Sequence, residues 1–146
     1  MSDCLPCDLE AAESAAIVYR DDDWSCEIAD GYDVPGWFIL RLRRHAEGWD
    51  GPTASELERF GPVSQRIAAA IRSATGASGV YFLSFGENYP HFHFLVIARG
   101  ADLAPELRGA AILGLRASGR DLDAALAVGA HVRDALAPRP STPQHQ

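Results

Sequence analysis

Five short runs of this chain alternate or crowd apolar residues as strands do, and longer stretches repeat them at helical spacing. Ile17-Val18-Tyr19-Arg20 and Trp24-Ser25-Cys26-Glu27-Ile28-Ala29 flank the turn Asp21-Asp22-Asp23 and predict a hairpin. Trp37-Phe38-Ile39-Leu40-Arg41-Leu42-Arg43 predicts a third strand, apolar on both faces in its first half and therefore central in a sheet. Val80 to Phe85 predicts a fourth. Asn88-Tyr89-Pro90-His91-Phe92-His93-Phe94-Leu95-Val96-Ile97 reads as a fifth, entered through turn residues at Gly86 to Pro90. Alternate strand residues share a face, so His91, His93 and Leu95 point one way and Phe92, Phe94 and Val96 the other, into a core.

Thr53-Ala54-Ser55-Glu56 fits a capping box at the start of a helix. Gly61-Pro62 is expected to break or kink it, with Val63, Ile67, Ala70, Ile71 and Ala74 as the apolar stripe of the continuation. Pro105 suits the first turn of a helix running to about Ala117, ended by Ser118-Gly119. Leu122, Leu126, Gly129, Val132 and Leu136 mark the face of a last helix, and a disordered tail is expected over 138–146.

Composition narrows the picture. With 146 residues, 47% of them hydrophobic, the chain suits one globular domain. A formal net charge of −7 argues against nucleic acid as the main partner. All 13 basic residues are Arg, so lysine Schiff bases, lysine general bases and a P-loop lysine are excluded. No apolar run is long enough for a membrane span, and the acidic, polar start does not read as a secretory leader. The cytoplasm is the expected compartment. There, Cys4, Cys7 and Cys26 read as thiols or metal ligands, not as a disulfide framework. Cys4-Leu5-Pro6-Cys7 can share one tetrahedral metal if two more ligands come from elsewhere, whereas Cys26 fits a strand interior as a core thiol.

The order of these features, C-x-x-C, hairpin, strand, Arg43-Arg44-His45, helix, then Pro90-His91-Phe92-His93-Phe94-Leu95-Val96-Ile97, resembles the histidine-triad (HIT) superfamily of nucleotidyl hydrolases and transferases. Ile17-Val18-Tyr19, Asp30 and Pro35-Gly36 add to the resemblance, which spans roughly residues 4 to 99. It implies an α+β, HIT-like fold: a five-stranded antiparallel sheet with a long helix packed on it and extra C-terminal helices. The HIT-like domain with its N-terminal zinc-binding segment is expected over 1–100, and 101–137 as a helical extension of the same domain. A homodimer formed by joining two sheets is also implied.

In the zinc-bearing branch, which includes galactose-1-phosphate uridylyltransferases, the matching positions bind a structural zinc. Here they are Cys4, Cys7, His45 and His91. The set closes a tetrahedron and leaves no open position, which suits structure and not catalysis. The middle histidine of the motif is the family nucleophile and corresponds to His93, which would attack the α-phosphate of a nucleoside phosphate to give a covalent intermediate. Asp30 matches the residue that hydrogen-bonds ribose hydroxyls, Asn88 offers an amide N–H to phosphate, and Arg41, Arg43 or Arg99 would supply positive charge. Leu95 stands beside the phosphate where the family has a third histidine, and Phe85-Gly86-Glu87-Asn88-Tyr89-Pro90 replaces the Gly-rich phosphate loop. Three readings follow. One is a hydrolase or transferase acting through His93, and another a zinc-stabilised HIT-fold protein that binds a nucleotide or other small ligand without turnover. The third is a metal-dependent hydrolase using His91 and His93 with Asp or Glu ligands, against which His45 and the C-x-x-C pair make a better closed site with His91.

Overall fold

The computed structural model describes residues 3–138. Nearly all of the tail expected over 138–146 lies outside the described residues. Strands β1 (Ile17–Arg20), β2 (Trp24–Glu27), β3 (Trp37–Leu42), β4 (Gly79–Leu83) and β5 (His93–Arg99) form one antiparallel sheet in the order β1-β2-β3-β5-β4. β3 is central, as its two-sided apolar pattern requires, and all six of its residues are buried. β5 is shorter than the motif suggested. It begins at His93, while His91 makes an isolated bridge to Glu47. Pro90 has no N–H to give a ladder, so regular pairing starts only beyond it.

The pleat sorts the side chains into two cores. On one face Trp24, Cys26, Phe38, Leu40, Phe92, Phe94 and Val96 pack under helix α2 (Ala54–Thr75). Cys26 is a fully buried core thiol there, and burial pushes its pKa well up. On the other face Trp37, Ile39, His93, Leu95 and Ile97 line up through the pairs Trp37↔Ile97, Ile39↔Leu95 and Arg41↔His93. This second face is covered by the N-terminal segment and by residues beyond 100, including buried Leu9 and Ile112.

α2 starts at the expected capping box: Thr53 Oγ1 accepts from Glu56 N at 3.1 Å, and Thr53 N donates to Glu56 Oε1 at 2.8 Å. It buries Val63, Ile67, Ala70 and Ile71 and ends at Gly76 in the left-handed conformation, with φ +70. The expected break at Gly61-Pro62 does not occur, because the helix runs through it. Pro62 and Glu58 both lie on the exposed face, where water can serve the carbonyl that Pro62 leaves without a donor. The apolar stripe on the opposite face then holds both halves to the sheet.

The helix expected from Pro105 to Ala117 is instead broken. It forms 3₁₀ turns over Pro105–Leu107 and Gly109–Gly114 and one α-turn, α3 (Leu115–Ser118). Gly109, at φ +69, turns the chain between the pieces. The last helix, labelled α4 (here α1 is the short helix Leu5–Asp8 near the N-terminus), spans Leu122–Leu136 and buries Ala125, Gly129 and Val132. Leu122, assigned by periodicity to the buried face, is 49% exposed at the first turn. Gly129 lets α4 approach closely, since a Cβ there would lie 2.6 Å from Ile28 Cδ1. Among the described residues no helix is long and apolar enough to cross a membrane.

Gly61 sits inside α2 with ordinary helical backbone, and a Cβ built on it meets nothing within 4 Å. Gly61→Ala trades helix propensity, worth up to about 1 kcal/mol, against crowding of its Cβ by Pro62 Cδ, and is expected to raise the urea midpoint by less than that full amount with an unchanged slope. A lower midpoint would show that the helix needs the glycine.

Candidate functional site

Two sites lie back to back around the turn that carries His91. The first gathers Cys4, Cys7, His45 and His91, whose ligand atoms all lie within 4.8 Å of one another. Cys4 caps α1, with its Sγ accepting from Cys7 N at 3.3 Å, and Pro6 in the first turn suits a tight start. His45 follows the end of β3, and His91 is bridged across to that same turn. Each sulfur faces the Nδ1 of both rings: Cys4 Sγ at 3.6 and 3.4 Å, Cys7 Sγ at 3.2 and 3.3 Å, from His45 and His91 respectively. Zinc bonds of about 2.3 Å to sulfur and 2.0–2.1 Å to nitrogen give a tetrahedron whose S···N edges are about 3.6 Å. The donor types and spacings fit a closed tetrahedral site.

The outer partners fit it too. His91 Nε2 lies 2.6 Å from the Leu42 carbonyl, which can only accept, so Nε2 carries the proton and Nδ1 keeps its lone pair. His45 Nε2 lies 3.1 Å from Glu47 Oε2. Burial lowers the pKa of His91 and favours the neutral, ligating ring. Burial and the adjacent Cys4 push the Cys7 thiol up to about 11, so a metal binding there has to displace protons from sulfur.

The second site is a cavity of about 380 Å³ on the far face of the sheet. Trp37, Ile39, His93 and Leu95 come from β3 and β5, and Glu87, Asn88 and Tyr89 from the turn before β5. His93 Nδ1 lies 2.5 Å from the His91 carbonyl. That oxygen can only accept, so Nδ1 is protonated and Nε2 holds the lone pair. The ring of Tyr89 stands edge-on to His93, with centroids 6.4 Å apart.

Of the residues proposed to touch a ligand, His93, Asn88 and Leu95 line this cavity, and Arg41, Arg43 and Asp30 do not. Glu27, on the neighbouring strand β2 and diagonal to Arg41 in register, captures it: Nε donates to Oε1 at 2.9 Å and NH2 to Oε2 at 2.8 Å, with both side chains fully buried. Burial alone would lower the pKa of Arg41, but its Glu27 partner holds it above the usual arginine value. Arg43 is drawn to Glu10 at 2.8 Å and to the Asp21 carbonyl. In return Arg43, helped by Arg41 and Arg20, pulls the Glu10 carboxyl down to about 2. Asp30 is 98% exposed in its side chain and sits 3.4 Å from Arg120. Arg99, at the end of β5, is also absent from the cavity wall.

Three contributors carry no signal in the sequence. Leu5, from within the C-x-x-C segment, forms part of the wall. Leu113 and Arg116 reach it from the segment beyond residue 100. No local periodicity marks any of them, because each arrives through tertiary packing.

No protein-family model matches the sequence, and no curated protein matches it either. Solved structures do. A hypothetical histidine triad nucleotide-binding protein of Sulfolobus tokodaii is 18% identical, with 91% of each chain covered and a TM-score of 0.69. A Zn-bound histidine triad family protein of Mycobacterium smegmatis is 21% identical over 91% of this chain and 92% of that one, with a TM-score of 0.63. A uridylyltransferase aligns at 17% identity and a TM-score of 0.62 over 91% of this chain, which spans 45% of that protein. The fold of this chain is the histidine-triad fold.

If the cluster binds zinc, purified protein should carry one equivalent, and Cys7→Ser should lose it. Glu47→Ala, which removes the carboxylate behind His45, is expected to weaken zinc about 10–100-fold in competition with a chromophoric chelator. A stably folded protein that takes up no zinc from buffered metal would defeat the assignment.

Proposed function

We propose that this chain is a HIT-type nucleotidyl hydrolase or transferase, with His93 as nucleophile and a structural zinc held by Cys4, Cys7, His45 and His91. One observation carries the reading. The His91 carbonyl fixes the tautomer of His93, and the Nε2 lone pair belongs to a ring that lines a ligand-sized cavity.

His93 Nε2 gives its lone pair to the α-phosphorus of a nucleoside phosphate. The bond from phosphorus to the leaving group breaks, and its electron pair departs with that group. The Nδ1–H bond to the His91 carbonyl spreads the positive charge that grows on the ring. Water or a second acceptor then attacks phosphorus, the bond from phosphorus to Nε2 breaks with its electron pair returning to neutral His93, and the attacking oxygen gives its proton to solvent. Asn88, on the cavity wall, offers amide donors to the phosphate oxygens. Leu95 contributes only apolar contact. A zinc ion at the cysteine–histidine cluster would tie the N-terminal segment to the sheet and supply no acid or nucleophile.

A second reading has its own support. Leu95 cannot donate a hydrogen bond, and Glu87 places a carboxylate on the cavity wall. Both favour a protein that binds a nucleotide or other small ligand without turning it over. The discriminating assay incubates wild type and His93→Ala with a nucleoside phosphoramidate and with a dinucleoside polyphosphate. Wild-type turnover that falls on the order of a thousandfold in the variant, with an acid-labile nucleotidyl-histidine trapped only on wild type, supports the enzyme. Equal background rates with ligand still bound select the binding protein.

A further inference from the structure

The β3 cations that the sequence offered for phosphate are tied to carboxylates, so the cavity needs another source of positive charge. Among the described residues lining it, Arg116 is the one arginine. It comes from α3, in a part of the chain that the strands and the histidine motif do not include.

Its side chain is held in place. The guanidinium lies over the Tyr32 ring, 4.1 Å from the centroid, and Nε donates to the Gly31 carbonyl at 2.8 Å. Tyr32 is itself on the cavity wall. Among the described residues, no carboxylate pairs with Arg116 and neither terminal nitrogen has a hydrogen-bond partner. By contrast Arg20, Arg41, Arg43, Arg44 and Arg120 each lie within 3.5 Å of a carboxylate oxygen. The segment beneath it is anchored on both sides. Ile112 is buried with Val34, Trp37 and Ile97, and Arg120 Nε bonds Asp33 Oδ1 at 2.7 Å. A planar guanidinium stacked on an aromatic ring, with its outer edge unbonded, is preorganised to take two oxygens of one anion.

We infer that Arg116 binds the phosphate of a ligand in the His93 cavity, a role that rests on the nucleotide reading of that cavity. Charge delivered from α3 serves in place of the captured β3 arginines. It also offsets Glu87, the one carboxylate on the wall among the described residues. A structural alternative is that Arg116 only clasps α3 to the Gly31-Tyr32 turn.

The test titrates AMP and adenosine into full-length protein by calorimetry. Arg116→Ala is expected to weaken AMP roughly 10–100-fold, the worth of a charged hydrogen bond, and to leave adenosine within about twofold. Arg116→Lys should recover part of the loss, since it restores charge without the stacked plane. Glu87→Gln should tighten AMP and not adenosine. Equal weakening of both ligands in Arg116→Ala, with a lowered melting temperature, would show a clasp and overturn the inference. Unchanged AMP binding in that variant would overturn it while leaving the nucleotide reading standing. Wild-type protein that binds neither ligand would remove the nucleotide reading and this role with it.

Discussion

The hydrogen bond from His91 Nε2–H to the Leu42 carbonyl holds the two sites of this protein in one frame. His91 is 1% exposed, and each of its polar atoms has a different task. Nε2 is committed to the end of β3, which turns Nδ1 toward the two cysteine sulfurs. Its carbonyl accepts from His93 Nδ1 and sets that ring's tautomer. The cysteine–histidine cluster and the His93 ring are therefore not independent. A ring flip at His91 would turn Nδ1 away from the two sulfurs, and a backbone shift there would break the bond that sets the His93 tautomer.

The N-terminal segment is fastened twice. The cysteine–histidine cluster is one fastening. The other is ionic: Glu27 receives Arg41 and Arg20, and Glu10 reaches back to Arg43, with Arg41 NH1 3.5 Å from Glu10 Oε1. A buried carboxylate with no partner would be costly, so Glu27 and Arg41 are best understood as a unit that must be kept or replaced together. This arrangement explains why the arginines nearest the histidine strand in register do not line the cavity. Arg41 lies directly across from His93, yet its guanidinium is turned to the β2 side of the sheet face. The fastening also matters for the cavity, because Leu5, between the two cysteines, is part of the wall around His93.

Local chemistry made much of this legible. The capping box at Thr53 and Glu56, the buried stripe of α2, the central place of β3 and the two-sided sorting of Phe92, His93, Phe94 and Leu95 all depend on residues within a few positions of one another. The errors also have local causes. Pro62 was expected to end a helix, but the rule counts a lost hydrogen bond and not whether water can replace it on an exposed face. The stretch beyond Pro105 was expected to be one helix because its alanines and leucines favour helix, but Gly109 at positive φ and the burial of Ile112 against Trp37 divide it. Asp30, expected at the ligand, instead stands exposed beside Arg120 and off the cavity wall, a placement set by the docking of the segment that carries Arg120.

By itself the sequence determined the strands, the long helix, the two cysteines and two histidines that come together in one cluster, and the histidine that lines the cavity. These follow from periodicity and from residue chemistry, which act over short distances along the chain. Only the tertiary structure decided how charges pair and what closes the cavity. An arginine's partner is whichever carboxylate the fold brings within reach, and Glu27, Glu10 and Asp33 are brought there by sheet pairing and segment docking. For the same reason Arg116, 23 positions beyond His93 by their numbering, could be found only once α3 was seen packed beside Tyr32.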